Sequence, residues 1–206
     1  MQVHTSTMVS FPQFVRQQRK ELPIVATEAT CQGRIFVVTG ANTGLGFECA
    51  QHLVRFTAEK VILACRSIAR GEAAKTRIEQ TTGRSGGVEV WQVDMASYDS
   101  IQAFVKRLET LDRIDAVIEN ASVAMLEHQE AEGLESSLTI NVVGTFLLAV
   151  LVLPLLHRSA KRHGTEPHLS IVGSEVAFGM KGELEKMRGD VIDGLSEKAK
   201  TSMANR

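Results

Sequence analysis

The sequence has almost no net charge. Its 206 residues carry 23 Lys plus Arg against 24 Asp plus Glu, a formal charge of −1 at pH 7. Such a balance offers no electrostatic footprint for nucleic acid or for an anionic membrane. Cysteine is scarce. Cys31, Cys49 and Cys65 follow no metal-ligand spacing. Cys49 and Cys65 fall in an expected helix and an expected strand, so buried free thiols are expected, which suits a reducing, cytoplasmic setting. Long apolar runs are missing as well. The strongest, Phe146–Leu156, has 11 residues, and a bilayer span needs about 20. Extending it backwards meets Thr145, Gly144 and Asn141, so it is expected to be a fully buried helix and not a membrane segment. Residues 1–10 are polar and mixed, without the apolar centre of a signal peptide.

What is present suffices for one α/β domain with a real core. Its organising stretch is Val37-Val38-Thr39-Gly40-Ala41-Asn42-Thr43-Gly44-Leu45-Gly46. Ile35–Val38 is a short apolar, β-rich run. It stops at the glycines, and Phe47–Val54 then has the pattern of an amphipathic helix. Strand, glycine-rich turn and helix in that order make a phosphate cradle. Free N–H groups and the positive end of the helix dipole face an anion there. Glycine is needed where a Cβ would block the turn or hold the phosphate away.

Lys60–Cys65 is the second expected strand, which completes a parallel βαβ unit. Arg66 comes next, 20 residues after Gly46. An acid near this position would hold the 2′-hydroxyl of NAD, whereas an arginine accommodates the 2′-phosphate of NADP. No acid adjoins Arg66, so the preference is for NADP(H). Ser67 is expected to cap the next helix, with a loose turn after it over 83–87. Val88–Val93 is the third strand, and Asp94 ends it. Ser97 caps a helix whose Ile101, Phe104, Val105 and Leu108 form one apolar face. Ile114–Ile118 is the fourth strand and runs into Glu119-Asn120-Ala121-Ser122. A long helix is expected from about Leu134 to Leu156, and His168–Ser174 is the fifth strand. Gly40, Arg66, Asp94, Asn120 and Ser174 thus all come after strands, at the edge where parallel sheets bind ligands.

Thr39-Gly40-x-x-x-Gly44-x-Gly46, with Asn120-Ala121, Asn141 in its flanking segment and Ser174, resembles the short-chain dehydrogenase/reductase family. The likeness extends to members from fungal biosynthetic pathways. It implies a Rossmann-like, doubly wound parallel α/β sheet. It also implies cofactor contacts from Gly40, Thr43, Gly44, Leu45, Gly46, Arg66, Asp94 (to the adenine amino group) and Asn120 (beside the ribose). Ser174 would be the catalytic serine. Asn141 would sit at a helix kink and hold a water of the proton relay. The family usually has Asn and Gly where this chain has Glu119 and Ser122, and a serine at 122 can keep the same path only if its φ is negative. Each residue also has a plainer reading: Arg66 a solvated strand end, Asp94 a turn aspartate, Asn141 a satisfied core amide, Ser174 a turn serine.

The family's reaction needs a tyrosine, with a lysine four residues later that lowers its pKa. The only tyrosine here is Tyr98, with Gln102 four residues on, at the start of a helix on the adenine side. The charged stretch after Ser174, with a helix over Ser196–Met203, resembles an insert that precedes the tyrosine helix in the family. The resemblance therefore covers residues 32–206 but about two-thirds of the family domain, with the sheet cut off after its fifth strand. Residues 1–31 are expected to be a packing arm with a short helix opened by Ser10, Phe11 and Pro12. The expectation is an NADP(H)-dependent reductase or dehydrogenase acting on a carbonyl or alcohol of a small molecule. Pairing of two copies through the 134–156 helix is implied by the family. The alternative is a non-catalytic NADP(H)-binding or interaction module.

Overall fold

In the computed structural model, residues 12, 15–16, 19–21, 23–125, 127–174 and 190–196 are described. A short helix, α1 (Glu28–Cys31), precedes the sheet. Thr27 and Thr30 cap it reciprocally, and Cys31 is buried in the core beyond. The expected arm thus ends inside the domain. The helix expected from Ser10 lies largely outside the described residues.

The glycine-rich turn has the anticipated strand–turn–helix build. β1 (Ile35–Thr39) is buried at all five positions, as an apolar run in the middle of a parallel sheet should be. α2 (Gly44–Arg55) comes after the turn and starts one helical turn earlier than the periodicity indicates. β2 (Lys60–Cys65) and α3 (Ile68–Thr82) come next. Ser67 caps α3 by accepting from the Arg70 N–H, and Gly83 ends it at φ 68°. β3 (Val88–Gln92) leads to α4 (Tyr98–Leu108), capped by Ser97 and buried along Ile101, Phe104, Val105 and Leu108. β4 is Ala116–Glu119, shifted forward from the expected 114–118 so that Glu119 lies inside the strand.

The long helix differs from expectation. Leu134 and Glu135 belong to a two-stranded hairpin, β5 (Glu130–Ala131) with β6 (Leu134–Glu135). A single turn, α5 (Ser136–Leu138), is capped by the Glu135 carboxylate. A π-helical segment, Thr139–Gly144, is next, and α6 runs from Thr145 to His163. The continuous helix Ser136–His163 is long and apolar enough, by length and composition, to cross a membrane, and half of its most apolar window is buried. α6 is not buried all round. Leu148, Val152, Leu155 and Leu156 fill the core, whereas Phe146, Val150 and Leu153 are 58, 63 and 51% exposed. β7 is shorter than expected, His168–Ile171, and ends three residues before Ser174. α7 (Val191–Ser196) stands ahead of the tail helix expected over Ser196–Met203, whose remaining residues lie outside the described ones.

The five strands pair in the order β3-β2-β1-β4-β7, all parallel. α2 and α3 pack on one face around Phe36, Val38, Val61 and Leu63. α4 and α6 pack on the other around Val37, Ile62, Trp91 and Val117. This is the doubly wound Rossmann-like arrangement, and among the described residues β7 is its edge. The chain moves outward from β1 to β3, then crosses back to β4. The reversal leaves a crevice at the C-terminal ends of β1 and β4, where such sheets bind ligands.

Candidate functional site

A cavity of about 580 Å³ lies along those strand ends. Gly40, Asn42, Thr43 and Leu45 line its centre. Arg66, Ser67 and Arg70 line it beyond β2, Asp94 and Met95 beyond β3, and Asn120–Val123 with Ile140 beyond β4. The strand order therefore puts Arg66 and Asn120 on opposite sides of the glycine turn.

The glycines are needed for different reasons. Gly40 has φ 65°, and a Cβ there would stand 2.9 Å from the Ala121 Cα. Gly44 has φ 60° with nothing within 4 Å of its missing Cβ, so the space above it is open. A Cβ on Gly46 would strike Asn120 Nδ2 and the Gly40 carbonyl, which is why α2 can approach the sheet so closely. Thr43 makes no side-chain cap bond. The first-turn N–H groups of α2 are therefore available to an anion, as at other helix N-termini.

The β4 end is fixed by hydrogen bonds. Thr39 Oγ1 accepts from the N–H groups of Asn120 and Ala121, and Asn120 Nδ2 donates to the Thr39 carbonyl. Asn141 lies in the π segment and holds Val123 twice: its Oδ1 accepts from Val123 N at 2.9 Å and its Nδ2 donates to Val123 O at 2.8 Å. The amide thus has the partner that burial demands. Ser122 is absent from the residues with positive φ, so the serine keeps the backbone path without strain. At the far end, Asp94 Oδ1 accepts from Ala96 N and forms a turn while still lining the cavity.

Six expected site residues line the cavity: Gly40, Thr43, Leu45, Arg66, Asp94 and Asn120. Gly44 and Gly46 shape the turn beneath it. Asn141 acts one step back, through Val123. Ser174 lies past β7 and does not line this cavity, and Tyr98 does not either. The Tyr98 N–H instead donates to Glu132.

Sequence reasoning overlooked one residue and named another only as a departure from the family pattern. Arg70 projects from the first turn of α3 into the end occupied by Arg66, and neither guanidinium has an ion-pair partner among the described residues. The i, i+4 spacing of Arg66 and Arg70 across a helix start was the available signal. Glu119 is the other. It is 3% exposed and neither carboxylate oxygen has a hydrogen-bond partner among the described residues. Burial pushes its pKa up to about 8. Cys65, beside Arg66, is pushed up to about 11 by burial, against the lowering effect of hydrogen bonds from Ala41 and Asn42. It is therefore a protonated core thiol and not a nucleophile. Cys49 is half-buried, less than expected.

The family model for short chain dehydrogenases matches residues 34–165. The chain belongs to that family. This short-chain dehydrogenase is 46% identical over 144 residues to one from Penicillium roqueforti, covering 70% of this chain and 38% of that one. It is 36% identical over 203 residues to one from Gibberella zeae, covering 96% and 58%. The chain thus spans roughly two-fifths to three-fifths of the length of these curated relatives. Among solved structures, a short-chain dehydrogenase from Sphingobium yanoikuyae in complex with NADPH superimposes with a TM-score of 0.60 at 28% identity, over 72% of this chain and 57% of that one.

Proposed function

We propose that this short-chain dehydrogenase is an NADP(H)-dependent oxidoreductase that interconverts a carbonyl and an alcohol on a small organic substrate. The observation that carries the cofactor choice is the pair of guanidiniums without ion-pair partners among the described residues, Arg66 and Arg70, at the β2 end of the cavity. Two free cations at one end of a phosphate-binding crevice suit a second phosphate and disfavour a bare ribose. The NADPH bound in the Sphingobium relative supports the same choice. The fungal relatives support a substrate from a biosynthetic pathway, and the free thiols a cytoplasmic setting.

Each residue then has a task. The α2 N-terminus, Thr43 and Leu45 hold the pyrophosphate, with Gly40, Gly44 and Gly46 keeping backbone and phosphate in contact. Asp94 takes the adenine amino group, and Asn120 the ribose beyond. Once bound, the dinucleotide supplies or accepts the hydride. Ser174 polarises the substrate oxygen by donating a hydrogen bond. Asn141 keeps the 121–123 backbone in place and orders a water. Tyr98, the only tyrosine in the sequence, is held at the start of α4 and takes no part. The 206 residues alone should therefore bind NADPH well and turn over slowly, since loss of a positioned acid costs about 10²–10⁴ in rate. Two copies pair through the exposed side of α6.

Titration of the 206-residue chain with NADPH and NADH, monitored by nicotinamide fluorescence, tests the reading. NADPH should bind at least tenfold tighter. Equal affinities would remove the NADP(H) assignment, and binding of neither would remove the dinucleotide site. The absence of a tyrosine beside the cavity, among the described residues, favours one other reading, a module that binds NADPH without oxidising it.

A further inference from the structure

Three carboxylates are buried among the described residues, and two are satisfied. Asp115 accepts from Ile35 N and from Arg113. Glu135 accepts from Leu138 N and Ser137 Oγ. Glu119 accepts from nothing described, although its relative exposure of 3% matches theirs. An ionised carboxylate without donors in a core is too costly to keep, and the group takes up a proton instead.

Among the described residues, the surroundings offer no cation to change that. Val117 belongs to the core beneath α4 and α6, and Ile118 packs against the opposite one. Strand alternation therefore turns Glu119 toward α4 and α6. The π segment and α6 as far as Leu156 carry no titratable residue, and neither does β1. On α4, Asp99, Lys106 and Arg107 are exposed, and the Tyr98 N–H is tied to Glu132. On β7, His168 pairs with Ala116, three residues back. In the connection after β4, Glu127 and Glu130 are exposed, and His128 is bonded to the Ser196 carbonyl. After β3, Asp94 is committed to its own turn. Burial is accordingly the sole cause of the upward shift of Glu119, from 4.5 to about 8.

We propose that Glu119 is carried as a neutral carboxylic acid and acts as an alkaline-sensitive latch on the β4 end of the cavity. The residues it precedes, Asn120–Val123, line that end and are held in place by Thr39 and Asn141. Ionisation would require water at the buried Glu119 oxygens, and admitting water next to the segment that follows would displace the lining. The functional half of this inference rests on the cavity being the dinucleotide site.

The unfolded chain releases this proton near 4.5, and the folded chain only near 8. Between those values the folded state holds the extra proton, so stability falls as pH rises and levels off above about 8. Glu119→Gln keeps the shape of the neutral acid and has no proton to lose. Across pH 5–8 the unfolding constant of the wild type, divided by that of E119Q, should rise by up to about tenfold per pH unit. At pH 7 the wild type should show the infrared carbonyl band of a protonated acid, absent from E119Q. The dissociation constant for NADPH should rise between pH 7 and pH 9.5 in the wild type only. Should E119Q fail to fold, Glu119→Leu serves the same comparison. Parallel stability curves, or no protonated-acid band, overturn the neutral acid. An unchanged NADPH affinity at pH 9.5 overturns the latch alone. No NADPH binding at pH 7 in either protein overturns the dinucleotide reading and the latch with it, while the melting curves still report on the acid.

Discussion

The proposed choice between two cofactors rests on Arg66 and Arg70, which line one end of the cavity. A guanidinium gives a phosphate paired, charge-assisted hydrogen bonds, whereas a ribose hydroxyl gains far less from it. Arg66→Ala should weaken NADPH about 10- to 100-fold and leave NADH within about threefold. Arg70→Ala should do the same to a smaller degree, because a side chain on a helix surface loses more entropy in reaching the ligand. Paired titrations with the two dinucleotides check both, and an equal loss for both cofactors would mean that the arginines support the fold instead. Arg66 was legible in the sequence because its distance from Gly46 is set by one βαβ unit. Arg70 was not, because its relevance depends on where α3 begins. Asp115 was illegible for a different reason. Its Oδ2 accepts the Ile35 N–H at 2.8 Å, and its Oδ1 takes the Arg113 guanidinium, so its main partner stands 80 residues away. Asp115→Ala should cost about 2–4 kcal/mol by leaving a buried N–H and a half-buried guanidinium unpaired. Chemical denaturation measures it, and a loss under about 1 kcal/mol would show that water replaces the carboxylate.

At the scale of elements, the strands and their order in the chain were legible because each is a short apolar run closed by a polar or glycine turn. The helix carrying Asn141 was only half legible. Its apolar composition announces a helix but not where regular α-geometry starts. Leu134 and Glu135 go to a hairpin, and the Glu135 carboxylate caps the next turn, a role more often taken by Ser, Thr, Asp or Asn. The π segment after it is a packing outcome. Gly144 lies at its end, where a Cβ would press on the carbonyls of Met95 and Thr139. The wider turn also aims Asn141 at Val123. Gly144→Ala should therefore destabilise by about 1–3 kcal/mol, as overpacking does, although alanine has the higher helix propensity. The two effects have opposite signs, so the melting temperature decides between them. A rise would mean that the helix can straighten and that the π segment is not enforced by this contact. In a protein that keeps the segment, hydrogen exchange at the Val123 N–H should also quicken in G144A, because the amide that holds it has moved.

For the whole molecule, the decisive mismatch is the outer face of α6. A helix apolar all round is expected to be covered all round, and among the described residues only the inner side is. Phe146, Val150 and Leu153 recur at i, i+4 and i+7, which makes one continuous stripe. Their exposed area contributes nothing to the core, and a contiguous apolar stripe of this kind marks an interaction surface. A second copy of the same stripe, related by a two-fold axis, is a self-complementary cover. The prediction is that the wild-type chain sediments as a dimer at micromolar concentration. Replacing Val150 and Leu153 together by Glu should yield a monomer, because two like charges would then meet their own copies across the axis. Both positions are more than half exposed, so the monomer itself should lose no more than about 0.5 kcal/mol at each. A cooperative melt retained by the variant, alongside a halved mass in sedimentation equilibrium, would separate lost pairing from lost folding. A wild type that stays monomeric at every concentration would show that α6 is covered in some other way, and the pairing proposal would fall. Membrane insertion is the competing use of an apolar stripe on a helix of this length. It would bring the wild type down with neutral lipid vesicles, whereas a dimer that has buried the stripe should stay in the supernatant.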